Sequence, residues 1–152
     1  MDMLIKLYEL APAVAPGSSA FVCRKPVAPE HDLIVEWVRH RFTPGWASES
    51  RVALANRPVS LFIAIRSEAP IGFCCYDATA RGFVGPIGVV EPERGNGVGA
   101  ALLLACLHDM RTLGYGYAVA GAVGAPGFFQ RVAGAIEIEG SVPGIYRGLL
   151  KH

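Results

Sequence analysis

Glu91-Pro92-Glu93-Arg94-Gly95-Asn96-Gly97-Val98-Gly99-Ala100 stands between a β-branched run ending at Val89-Val90 and an apolar stretch of helical period. In that stretch Leu102, Leu103, Cys106, Leu107, Met110 and Leu113 recur at intervals of three and four. They predict a helix with these residues inward and His108, Asp109, Arg111 and Thr112 outward, ended by Gly114 in the C-cap region. A strand, a glycine-rich turn and a helix start make an anion site. Glycine admits positive φ and close approach, and the first helical N–H groups are unpaired at the positive end of the dipole. Arg94 adds a charge at the mouth. Such a turn also serves simply to pack a helix close on a strand, and the turn by itself leaves both readings open. A Walker loop needs Gly-Lys-Ser/Thr at its end, whereas this turn ends Gly97-Val98-Gly99-Ala100. A dinucleotide fingerprint needs a third glycine where Ala100 stands and βα units upstream, which the preceding strands do not supply.

Upstream of the turn, residues 59–65, 71–76 and 83–90 read as three strands of an antiparallel meander, turned at Ser67-Glu68-Ala69-Pro70 and Ala80-Arg81-Gly82. Before them, Pro29-Glu30-His31-Asp32 opens an amphipathic helix with Leu33, Trp37, Val38 and Phe42 on one side, ended by Thr43-Pro44-Gly45. A second short helix follows over 46–55. The N-terminal part reads as strands over 4–10 and 21–24 joined by a Pro/Ala/Gly/Ser-rich loop at 11–19. Downstream come a central strand at 117–123, a short helix at 126–133 and closing strands at 135–139 and 145–150.

With 152 residues, 52% hydrophobic and 18% charged, the chain is expected to be one globular domain spanning 1–152. A net charge of +1 gives no basic field for nucleic acid. No stretch reaches the ~20 apolar residues of a membrane helix, and no secretory signal is legible at the start, so a cytoplasmic protein is expected. The mean hydropathy of +0.36 fits a large core or an apolar subunit interface, and a homodimer is expected. Cys23, Cys74, Cys75 and Cys106 form no CxxC pair and have no histidine at zinc-ligand spacing, so no metal site follows. Cys74 and Cys75, adjacent on a strand, should face opposite sides of the sheet.

Arg94, Gly97 and Gly99 match the acyl-CoA signature of the GNAT N-acetyltransferase superfamily: Arg or Gln, two residues, Gly, one residue, then Gly or Ala. The chain also resembles this family in the order of its elements. The resemblance implies an α/β (α+β) fold with a mixed, mostly antiparallel central sheet, a splayed strand pair and flanking helices. It implies acetyl-CoA as co-substrate, with no metal. The pyrophosphate would lie on the N–H groups of Gly95, Asn96, Gly97, Val98, Gly99 and Ala100, and the pantetheine arm along the backbone of Val89 and Val90, whose main chain would also meet the oxyanion. The acceptor would be a small-molecule or peptide amine, with Trp46 in the region bordering its pocket.

The sequence departs from the family at the proton donor. Where many members carry a tyrosine on the helix after the splayed strand, this chain reads Phe128-Phe129-Gln130-Arg131-Val132-Ala133-Gly134, so Phe129 or Gln130 takes that place. An asparagine often found earlier in the segment is replaced by Ala122 or a neighbour. Tyr76 on the returning strand and Tyr146 on the closing hairpin are the remaining phenols that could face the cleft, although buried tyrosines commonly serve as core residues with one hydrogen bond. Three functions remain: N-acetyl transfer by direct attack of a primary amine, a non-catalytic acyl-CoA binding or sensing module, and a nucleotide-phosphate binder unrelated to CoA.

Overall fold

The structure, a computed structural model, describes residues 1–13 and 20–151. Most of the expected loop at 11–19 lies outside the described residues, as does His152. Strands β1 (Met3–Lys6), β2 (Val22–Arg24), β3 (Leu61–Arg66), β4 (Ala69–Tyr76), β5 (Phe83–Val89), β6 (Tyr117–Ala120) and β7 (Ile136–Glu137) form one sheet in the order β2-β3-β4-β5-β6-β1-β7. Helices α1 (His31–Arg41), α2 (Pro44–Ala55), α3 (Val98–Thr112) and α4 (Pro126–Ala133) cover its faces.

The β3-β4-β5 meander is antiparallel as its turn residues predict. The β5–β6 pair is parallel, through Phe83↔Val119 and Val84↔Ala120. There β6 ends, while β5 runs on to Val89. The two strands part beyond Val84, which makes this the mixed, mostly antiparallel sheet with a splayed pair that the sequence implied.

Apolar alternation along the strands builds two cores. Met3, Ile5 and Cys74 pack with Leu102, Leu103, Leu107 and Met110 of α3. On the other face Leu61, Ile63, Phe73 and Cys75 pack with Ile34, Val35 and Val38 of α1 and with α2. Cys74 and Cys75 thus face opposite sides. Gly88 of β5 has no room for a side chain against the second core, because a Cβ there would lie 2.7 Å from Phe42 Cε1 and Cζ and 2.9 Å from Phe73 Cε1. Gly88→Ala should therefore destabilise the fold by about 1–3 kcal/mol through overpacking, read as a lower denaturation midpoint in urea at unchanged slope.

Several boundaries differ from the sequence reading. The first strand stops at Lys6 and Leu7–Glu9 forms a 3-10 turn. Leu33 is 72% exposed; Ile34 and Val35 take the inward positions of α1 instead. Leu113, beyond the end of α3, is also exposed. Thr43-Pro44-Gly45, expected only to end α1, also starts α2: Thr43 Oγ1 accepts from Trp46 N–H at 3.0 Å, and Pro44 fits a first turn that needs no N–H. β6 is shorter than expected because the chain after Ala120 is drawn off toward the N-terminus, Ala122 N–H donating to Asp2 Oδ1 at 2.9 Å and Val123 N–H to Met1 O at 2.8 Å. Residues 145–150 form no strand. Gly144 and Gly148 adopt φ of +64° and +74°, which breaks extended pairing, and Tyr146 sits in a single 3-10 turn, Gly144–Tyr146.

Candidate active site

The helix start predicted from the glycine turn is built in a distinctive way. Gly97 caps α3 with φ of +82°, Gly95 has φ of +83°, and an added Cβ at either would meet no atom within 4 Å. Glycine is needed here for conformation, and the space beside the loop is open. At Gly99 the need is close approach: a Cβ would lie 3.3 Å from Phe128 Cε1 and Cζ of α4. The first helical bond of α3 is Ala101 N–H to Gly97 O. The N–H groups of residues 95–100 consequently have no acceptor among the described residues.

This amide row opens into a cleft of about 850 Å³ that follows the β5–β6 splay. Arg94, Gly95, Gly97, Gly99 and Ala100 line one end, with Val89 beside them. The side chains of Val90 and Val98 are buried in the α3-side core, and Asn96 is exposed outside the lining. Val90 N–H is not free to meet a ligand, because it donates to Ile71 O at 2.9 Å. Antiparallel alternation then turns the polar groups of Val89 the opposite way, into the splay. Its carbonyl accepts from Arg94 Nε at 3.1 Å.

Arg66 acts from behind the loop. Its Nε donates to both oxygens of Glu93 at 3.2 and 3.1 Å, and its Nη2 to Oε1 at 2.9 Å. Glu93 lines the cleft beside the amide row, so this pairing partly neutralises a carboxylate that would repel an anionic ligand.

Beyond the amide row the cleft is lined by Phe42, whose ring packs against Gly88, by Trp46, and by Glu49, Thr79 and Tyr146, which group together through the Thr79–Glu49 hydrogen bond with the Tyr146 phenol beside them. Trp46 both lines the cleft and anchors the helix junction, with ring centroids 5.4 Å from Phe42 and 5.9 Å from Phe73. The Tyr146 hydroxyl lies against the splay, 2.7 Å from where a Cβ on Gly121 would stand. Burial pushes the Tyr146 phenol above its ordinary value, with the charges of Glu49 and Asp2 adding to the shift and the Thr79 hydroxyl opposing it.

Tyr76 does not share this cleft. It is buried beneath α3, and its hydroxyl donates to Asp109 Oδ2 at 2.6 Å, where Lys25 Nζ also pairs at 2.7 Å. The expectation that Tyr76 faces the cleft is corrected: β4 alternation directs it to the opposite side of the sheet. On α4, Phe128 and Phe129 line the cleft and Gln130 is exposed, so that helix offers no phenol. Sequence reasoning missed Glu49, Thr79 and Phe42 in this site. Glu49 had a legible signal, since it falls three residues after Trp46 on a predicted helix and so on the same face. Thr79 had none, because only the β4–β5 turn carries it there. Among the described residues no group of His, Cys, Asp and Glu is arranged to hold a metal ion, and no helix is long and apolar enough to cross a membrane.

The sequence model of the Acetyltransferase (GNAT) family matches residues 31–135, more than two thirds of the chain and all of the cleft except its Tyr146 edge. The chain belongs to the GNAT acetyltransferase family. As a GNAT chain it shares its fold with a GCN5-related N-acetyltransferase from Sphaerobacter thermophilus, at TM-score 0.66 and 24% identity over 89% of this chain and 47% of that one. It is similar in fold to the GCN5-related glucosamine N-acetyltransferase region of a fungal multi-domain GH3 β-N-acetylglucosaminidase, at TM-score 0.68 and 14% identity over 87% of this chain and 19% of that one. A GCN5-related N-acetyltransferase from Kribbella flavida matches at TM-score 0.56 and 14% identity, over 87% of this chain and 52% of that one. This GNAT chain therefore spans between about a fifth and a half of the length of these solved relatives. No curated protein matches the sequence.

Proposed function

We propose that this chain transfers the acetyl group of acetyl-CoA to a primary amine by direct attack. The observation that carries the reading is the continuity of one cleft, from a row of unpartnered amides at residues 95–100, along the exposed edge of β5, to a phenol at Tyr146. The amides and Arg94 suit a pyrophosphate. The β5 edge suits the amide groups of a pantetheine arm, and Val89 N–H, turned into the splay, suits a carbonyl oxygen gaining charge.

The acceptor ammonium first loses a proton. The free amine then uses its lone pair to attack the thioester carbon, and the C–S bond breaks with its electrons going to sulfur. Tyr146 Oη–H supports the departing thiolate by a hydrogen bond. The second proton lost by nitrogen ends on the thiol, giving an amide, CoA-SH and one proton to solvent. A thiol pKa near ~8.5 makes sulfur a fair leaving group even from a weak donor.

Thiol release from acetyl-CoA with a panel of amines, beside calorimetry of acetyl-CoA binding, tests this reading. The absence of a phenol on α4 favours one rival, a non-catalytic acyl-CoA module. Binding without thiol release from any amine would establish that rival. Arg66→Ala should weaken acetyl-CoA binding by about 3- to 10-fold, because Glu93 is then left unpaired beside the phosphates; the loss should shrink at high salt.

A further inference from the structure

We propose that the Glu49 end of the cleft receives the acceptor as an ammonium ion carried on an apolar, ring-sized body with no carboxylate next to the amine. This rests on the acetyl-transfer reading and names its substrate class.

Glu49 lines the cleft three residues after Trp46 on α2, and its carboxylate accepts from the Thr79 hydroxyl. It is half-buried and has no cationic partner among the described residues. Thr79 and Tyr146 stand beside it and Trp46 lies about one helical turn away on α2, none of them positively charged. The two cations that do line the cleft belong to other elements, Arg94 to the glycine turn and Arg131 to α4. A half-buried carboxylate held by a single neutral hydroxyl has an oxygen left for further stabilisation. An ammonium ion supplies it, donating to the free oxygen while its charge faces the aromatic rings.

The walls set the shape of what carries the amine. Phe42 and Trp46 are held by Phe73 at centroid distances of 5.4 and 5.9 Å, so the rings form a firm apolar surface. A flat hydrocarbon body can stack on it; a second charge would have to be desolvated there. An α-carboxylate, as in an amino acid, would meet Glu49 with no cation on this wall to hold it.

The test is steady-state thiol release with acetyl-CoA and three acceptors: 2-phenylethylamine, phenylalanine, which adds a carboxylate to the same body, and 1,4-diaminobutane, which lacks the ring. The expected order places 2-phenylethylamine at least about tenfold above the other two in kcat/KM. Glu49→Gln keeps the Thr79 hydrogen bond and removes the charge. It should raise KM for 2-phenylethylamine by about 10- to 100-fold, the range expected for a charge-assisted contact, and leave the acetyl-CoA Kd unchanged. Equal use of phenylalanine or diaminobutane, or an unchanged KM in Glu49→Gln, overturns the acceptor class and leaves acetyl transfer standing. Acetyl-CoA binding with no thiol release from any amine overturns both.

Discussion

Replacing Gly97 with glutamate should raise the Kd for acetyl-CoA by at least about 100-fold while the chain stays folded. Gly97 sits at the head of α3 with φ of +82°, and nothing lies within 4 Å of the position its Cβ would take. The new side chain therefore starts in open space and projects beside the amides. A carboxylate there would face the pyrophosphate of the proposed acetyl-CoA site. Two like charges about 5 Å apart at an effective dielectric of about 20 repel by roughly 3 kcal/mol, about two orders of magnitude in affinity. The backbone contributes a separate cost, since a residue with a Cβ in the left-handed region is strained by about 1–2 kcal/mol. Gly97→Asn separates the two effects, because asparagine tolerates that conformation and carries no charge. Calorimetry should find Asn within about tenfold of the parent and Glu beyond detection, with both variants melting cooperatively. Equal affinity in parent and glutamate variant would move the phosphate site away from this turn.

Tyr146→Phe should lower kcat by about 100-fold with little change in the acetyl-CoA Kd, the size ordinarily lost with one proton-transfer or proton-sharing group. The hydroxyl is the phenol that reaches the splay: Phe128 and Phe129 stand on α4, and Tyr76 is committed to Asp109 across the sheet. Burial and the nearby carboxylates hold the Tyr146 phenol protonated above its ordinary value of 10.0. The donor form is therefore present throughout the neutral range and is lost only as pH rises past that shifted value. Between pH 7 and 9.5 the parent's kcat/KM should climb, as more acceptor amine is deprotonated, with no fall from Tyr146 ionisation. Single-turnover rates and a pH profile read both effects. A phenylalanine variant of undiminished kcat would return the thiolate to solvent and remove Tyr146 from the chemistry.

The contrast between Tyr146 and Tyr76 shows what was hard to read from sequence. Both are tyrosines near predicted strands, and local pattern treats them alike. Tyr76 turns out to be core because strand alternation points it at α3, where Asp109 satisfies its hydroxyl. Tyr146 reaches the cleft without a strand at all, in a 3-10 turn flanked by positive-φ glycines. Glu49 was legible by helical spacing from Trp46. Its pairing with Thr79, and the Arg66–Glu93 pair across 27 residues, had no local signal.

What the amino-acid order decided by itself was local and periodic: the meander, the apolar face of α3, and a turn whose glycines free a row of amides. Those follow from backbone sterics and side-chain spacing over a few residues. Only the tertiary structure decided which side chains meet at the far end of the cleft. Glu49, Thr79 and Tyr146 come from three separate segments, and their proximity depends on how helices seat on the sheet and where β5 and β6 part. Long-range packing settles that, and no stretch of sequence contains it.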